Sequence, residues 1–312
     1  MTDIIAAFLN GAFGSWYAFT SATLVRATPL IIIGLGFALA LRAGALNIGA
    51  EGQFYAGAIA ATWVGLHVAA WPSFAAIGAT WVVAAVAGAL WMLIPVILRV
   101  RYGVLEVIST LLLNFVADAL VSWMVQGPLQ EPTHIYPQSA PIAASAQLPL
   151  LPGTRLHLGF LLAIVIAVVL WWAFTRTAWG FRLLAVDEGP RAAEVSGRIG
   201  VTRVIATSLL LSGAIAGLAG ATEVGGVSYA LYQNLSPGYG FTAIAVALLA
   251  RLKPLWIIAT GILFGALEAG AAGMQRDAGV PAVIVYVIEA GIIIGLVLLD
   301  ARQRARLARM AA

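Results

Sequence analysis

The sequence predicts an all-α protein that crosses a membrane many times, organised as one transmembrane domain over residues 1–312. Three observations carry this. Hydrophobic residues make up 62% of the chain and charged residues only 10%, against roughly 25% charged in a soluble domain. The mean hydropathy of +0.98 leaves too little polar surface to face water, so the exterior must meet lipid. The apolar residues also fall into runs long enough for helices that cross about 30 Å of hydrocarbon, without the alternation of barrel strands.

The runs predict about nine spans (eight to ten), at 22–41, 49–66, 73–98, 103–125, 157–175, 203–227, 239–251, 255–275 and 281–300. The stretch before the first, "MTDIIAAFLNGAFGSWYAF", has no basic start and no clean cleavage site, so it reads as a short amphipathic helix at the interface rather than a signal peptide. The seventh run is short and predicts a broken or re-entrant helix. Such backbone survives at membrane depth only where protein or a watery cavity covers it.

The arginines set the orientation. They cluster at Arg99 and Arg101, along Arg176–Arg203, at Arg251 with Lys253, and in the tail "ARQRARLARM". With nine spans all four groups fall on one side, which the positive-inside rule assigns to the cytoplasm. The N-terminus and the proline-rich loop 127–156 are then extracytoplasmic. The net charge of +4 belongs to these loops and predicts contact with membrane lipids, not nucleic acid.

Polar residues inside apolar runs are the candidates for function, because an intramembrane carboxylate costs at least about 2.5 kcal/mol on insertion scales. Glu51, Glu106, Asp118, Glu223, Glu268 and Glu289 are such residues; Glu268 and Glu289 read as span-end groups. "NIGAEGQ" places Asn47, Glu51 and Gln53 in a helix break, where Asn47 can cap the following helix and Glu51 sits in its first turn. An ordinary tight connection would look similar, but a broken helix can also line a path for an uncharged polar solute. In "EVISTLLLN", Glu106, Thr110 and Asn114 share a helix face, either as glue between helices or as path lining. Glu223 precedes "GGVSYALYQNLSPGYGF", a second break of cavity-lining character. Gly213 with Gly217, and Gly261 with Gly265, read as close helix packing.

The segment "LLAVDEGPRAAEVSGRIGVTR" predicts a short helix from Pro190 to Gly197, a connector or a knob that docks into another subunit. Its mixed surface places Arg191, Glu194 and Arg198 beside Ala193. No catalytic site is predicted. The chain has no GxxxxGK[ST] loop, no GxSxG elbow and no cysteine, and His67, His134 and His157 lie far apart. No cofactor or metal follows from these residues.

Seven motifs in order, "RAGALNIGAEGQF", "EVISTLLLNF", "GPLQEP…PQSAPI", "GPRAAEVSGRIGV", "SGAIAGLAGATEVGG", "GYGFTAIAVALLARLKP" and "MQRDAGVPAVIVYVIEA", resemble the permease subunits of bacterial ABC importers of the branched-chain amino acid/ribose superfamily. The nucleoside (simple sugar and purine nucleoside) branch is most similar, and the resemblance runs from about residue 11 onward. It implies a multi-pass protein of the bacterial plasma membrane that takes up a nucleoside or sugar-like solute. The implied partners are a separate ABC ATPase subunit, a second homologous permease and an extracytoplasmic solute-binding protein. Segment 187–200 would be the coupling helix, with Pro190, Arg191, Ala193, Glu194, Gly197 and Arg198 toward the ATPase. Asn47–Gln53, Glu106–Asn114 and Glu223 would lie on or near the solute path. A facilitator channel and an ion-coupled secondary transporter are the other classes that the composition admits.

Overall fold

A computed structural model describes residues 2–195, 197 and 199–281, together with 283, 284, 287, 290, 291, 294 and 295. The described residues are helical, with no named strand. In chain order the helices are α1 (Thr2–Phe13), α2 (Trp16–Ala18), α3 (Val25–Leu41), α4 (Ala50–His67), α5 (Ser73–Tyr102), α6 (Glu106–Gln126), α7 (Gly159–Arg176), α8 (Ala178–Glu188), α9 (Pro190–Val195), α10 (Val201–Glu223), α11 (Tyr239–Leu249) and α12 (Pro254–Ala278). A π-helical turn at Phe19–Leu24 joins α2 to α3, and another at Val224–Ser228 ends α10.

Among the described residues six helical segments are long and apolar enough to cross a membrane, fewer than the nine expected. The physical reasons are local. α4 is 18 residues long, but Glu51, Gln53 and His67 make it too polar to count by composition. α11 has only 11 residues. The expected span 281–300 lies largely outside the described residues, as do Glu289 and the arginine-rich tail.

Burial sorts the helices into an inner and an outer set. Every residue of α3 from Ala27 to Ala40 is buried. A helix apolar on all faces must be surrounded, and α3 is packed by α7, α10, α11 and α12. α10 also packs on α4 and α5. The outer helices α5, α6 and α7 keep one apolar face exposed. On α5 that face carries Val82, Val86, Leu90, Ile94 and Ile97, a stripe at helical spacing for lipid.

Small residues set the closest approaches. A methyl group added to Gly213 would stand 2.6 Å from the Gly88 carbonyl oxygen, and one on Gly265 would stand 2.6 Å from that of Thr23. Both GxxxG pairs therefore sit at helix crossings, as their spacing predicts. α1 does more than rest at the interface: it packs along α12, where a methyl on Gly11 would come within 2.9 Å of the Ala269 carbonyl oxygen and of Gly273.

Candidate functional site

Two interruptions of the helical bundle build the site. The first is residues 42–49, between α3 and α4. Backbone bonds to Ala38, Ala40 and Leu41 pair the N–H groups of Arg42–Ala45 at the end of α3, and beyond them side chains must supply the partners of Leu46, Ile48 and Gly49. Asn47, wholly buried, is the hub. Its Nδ2 donates to Gln53 Oε1 (2.8 Å) and to Ser212 Oγ on α10 (2.9 Å). Its Oδ1 accepts from Gly49 N (3.0 Å), an Asx turn, and from Gln53 Nε2 (3.0 Å). Gln53 Nε2 also approaches Met92 Sδ on α5 (3.1 Å).

The predicted polar face of α6 runs alongside this break. Glu106 accepts from Leu46 N (3.2 Å) and pairs with Arg99. Thr110 packs on Gly49, where an added methyl would lie 2.7 Å from Thr110 Cβ. Asn114 accepts from Gly52 N (2.8 Å) and donates to the Ile48 carbonyl (2.9 Å). Each step up α6 thus meets a residue further along the break. Ser212 is 11 residues beyond the start of α10 and Met92 is 10 before the end of α5. At 1.5 Å per residue both stand about 15 Å along their helices from the arginine-bearing ends, which puts the hub deep within the bundle.

The second interruption is residues 224–238. After the π turn, Tyr229 and Asn234 adopt φ of 57°, and Gly238 takes φ of 100° to aim the chain into α11, a conformation glycine adopts without strain. The partners here are mostly backbone groups of the proline-rich loop. Ser139 N donates to the Leu231 carbonyl (2.8 Å), Ile142 N to Tyr229 (2.8 Å) and Leu148 N to Gly225 (2.8 Å). Ser139 Oγ accepts from Leu231 N (2.9 Å). Under the π turn lies the buried imidazole of His157, against Gly226, with Nδ1 accepting from Gly159 N (3.2 Å).

The two interruptions meet at Glu51. Its Oε2 accepts from Gly240 N (2.6 Å) in the first turn of α11. A carboxylate there is stabilised by unpaired N–H groups and the helix dipole. Glu51 itself lies in the first turn of α4, so the N-termini of two helices converge on one carboxylate. Around the junction stand Tyr55 of α4, Tyr239 of α11, whose ring centroid is 6.0 Å from that of Phe54, and Glu223, buried at the end of α10. Arg26 is the cation electrostatically coupled to Glu223.

The structure therefore brings Asn47, Glu51, Gln53, Glu106, Thr110 and Asn114 together around the first break, and sets Glu223 beside the second. Sequence reasoning missed Ser212, Met92, Arg99 and the Gly240 amide. Ser212 was legible as a hydroxyl in an apolar run, one turn after Ser208; a backbone amide has no sequence signal.

The residues expected to face an ATPase lie elsewhere, on the arm formed by α8 and α9. The helix expected from Pro190 to Gly197 spans Pro190–Val195 and stops before Gly197, which adopts φ of 66°. Arg191, Glu194 and Val195 are exposed, Val195 by 87%, whereas Ala193 is buried within the core. Arg198 lies outside the described residues. Among those residues no cluster of three or more His, Asp or Glu could hold a metal ion.

Long apolar helices around interior broken helices, whose N-termini converge on polar side chains, define a multi-pass membrane transport subunit. Residues 19–299 match the family described as branched-chain amino acid transport system / permease component, and the chain belongs to that family. It is 40% identical to a glucose ABC transporter permease of Haloferax volcanii, over 88% of this chain and 74% of that one. It is 37% identical to a guanosine ABC transporter permease of Bacillus subtilis, over 93% and 83%, and 34% identical to a nucleoside ABC transporter permease of Lactococcus lactis, over 87% and 77%. The chain is thus an ABC permease subunit, a role that requires an ATPase subunit and a solute-binding protein.

Proposed function

We propose that this permease imports a nucleoside or a related sugar-like solute, and that the solute passes the junction of the two breaks. The observation that carries this reading is the convergence of α4 and α11 on Glu51, with tyrosines and Glu223 nearby. Ring hydroxyls suit carboxylate acceptors, and tyrosine faces suit flat or ring-shaped solutes. Asn47, Gln53, Thr110 and Asn114 form the wall behind the path, and Glu106 with Arg99 anchors its end. The names of the relatives, guanosine, nucleoside and glucose permeases, support this solute class.

In this reading loop 127–156 is extracytoplasmic and the α8–α9 arm is cytoplasmic. Segment 187–200, with Pro190, Arg191, Glu194 and Val195 outward and Ala193 bracing it from within, docks into a separate ATPase, beside a second homologous permease. ATP hydrolysis belongs to that ATPase and not to this chain. Uptake of labelled guanosine and glucose, in vesicles carrying the permeases, the ATPase and the binding protein, tests this. Uptake should require ATP and be lost in Val195→Arg while the subunits still co-purify. Undiminished ATP-driven uptake by that variant would reduce the arm to a connector, and no uptake of either solute by the wild type would remove the solute class.

A further inference from the structure

A basic groove lies on the arginine-rich side of the bundle, lined by residues that the proposed solute path does not use. It lies between the end of α7 and the start of α12 and encloses about 280 Å³. A second recess of about 220 Å³ adjoins it and shares Arg42 and Phe174. Arg42, the first residue of the first break, forms the floor. Its Nε donates to the Leu252 carbonyl (3.1 Å), and its guanidinium stands 4.8 Å from the centre of the Phe174 ring. One donor of five is used in that bond, and the planar group is held in place.

Two further cations line the same recesses. Lys253 borders the groove and Arg251 the recess; both are exposed, and neither forms an ion pair among the described residues. Arg251 and Leu252 both have positive φ, 50° and 56°. Two successive non-glycine residues in this region are strained, and that turn is what carries Arg251 and the Leu252 carbonyl to Arg42. The facing carboxylate is Asp187 on α8. Among the described residues that line the two recesses, three cations stand against one carboxylate.

The rim identifies the occupant. Trp171, Leu255 and Trp256 border the groove and are exposed, Trp256 by 64%. Tryptophan beside arginine and lysine at the ends of spanning helices marks the headgroup level of a bilayer. We infer that this groove binds the headgroup phosphate of an anionic phospholipid, with Arg42, Lys253 and Arg251 on the phosphate and the acyl chains along Leu255 and the two tryptophans. On the orientation proposed above, this is the cytoplasmic leaflet.

The chemistry of the ligand is a phosphate, which a free anion shares, so the test must separate the two. The full-length chain is reconstituted in nanodiscs of phosphatidylcholine containing a minor fraction of phosphatidylglycerol, and retained lipid is counted by native mass spectrometry. Phosphatidylglycerol should be retained preferentially, and millimolar inorganic phosphate should not displace it. R251Q/K253Q, two exposed changes, should weaken retention about 25-fold, at about fivefold per cation near the membrane surface. Arg176→Gln, an exposed cation on the same helix end that does not line the groove, should leave it unchanged. Equal retention of both lipids, or wild-type retention by R251Q/K253Q, would overturn the inference. Displacement by inorganic phosphate would overturn it in favour of a simple anion site.

Discussion

The two breaks solve the same problem with different chemistry. Both leave backbone N–H and C=O groups unpaired inside the bundle, where each costs several kcal/mol in hydrocarbon. At residues 46–49 the remedy comes from side chains, Glu106 and Asn114 of α6 and Asn47 of the break itself, which Gln53 and Ser212 hold in place. At residues 224–238 it comes largely from the backbone of a distant loop, Ser139 to Leu148. The first break is therefore rigid from within, through a network in which each member holds the others. The second depends on a loop laid across it. On the solute path proposed above, the side-chain network is suited to a fixed wall and the loop-dependent segment to the end that must open.

The contrast can be broken first at its hub. Asn47→Ala strips partners from Gln53, Ser212 and Gly49, all buried, and should cost about 4 kcal/mol, since each buried group left unpaired costs about 1–3 kcal/mol. The expected outcome is loss of folded protein in detergent, measured by size-exclusion recovery. Wild-type recovery would mean that the first break is not held from within.

Packing acts next, on the second break. The buried His157 ring fills the space under the π turn against Gly226. His157→Ala removes that ring and should cost about 2–3 kcal/mol, as other large-to-small changes in packed interiors do. Melting temperature in detergent should fall. An unchanged melting temperature would remove His157 from the account of the second break.

The smallest effect is at the loop. Ser139→Ala leaves the buried Leu231 N–H without its acceptor and should cost about 1–2 kcal/mol. It should also raise proteolytic cleavage near residues 229–238 without affecting residues 42–49. Unchanged cleavage would show that the loop does not hold the second break.

The same contrast explains what the sequence reveals. Asn47, Gln53, Glu106 and Asn114 stand out in apolar runs because side chains do the pairing, and the α6 spacing predicted which of them share a face. The break at 224–238 shows only as glycine, tyrosine and proline. Its partners are largely backbone groups roughly ninety residues away in the chain, such as Ser139 N on the Leu231 carbonyl, and backbone pairing leaves no residue type behind. The Glu51–Gly240 contact is hidden for the same reason. The span count failed where a helix was too polar, at α4, or too short, at α11. The inward turn of Ala193 depended on how α9 rolls against its neighbours, which six residues of pattern do not fix.

The most direct test asks whether the junction, and not the wall, faces the solute. The chain has no cysteine, so single cysteines can report alone. Glu51→Cys and Asn114→Cys are compared in the assembled transporter for labelling by a small thiol reagent, with and without solute delivered by the binding protein. The Glu51 position should label and be protected by solute, while the Asn114 position, packed against Ile48 and Gly52, should resist labelling in both conditions. Solute-protected labelling at Asn114 with none at Glu51 would contradict the assignment of wall and path.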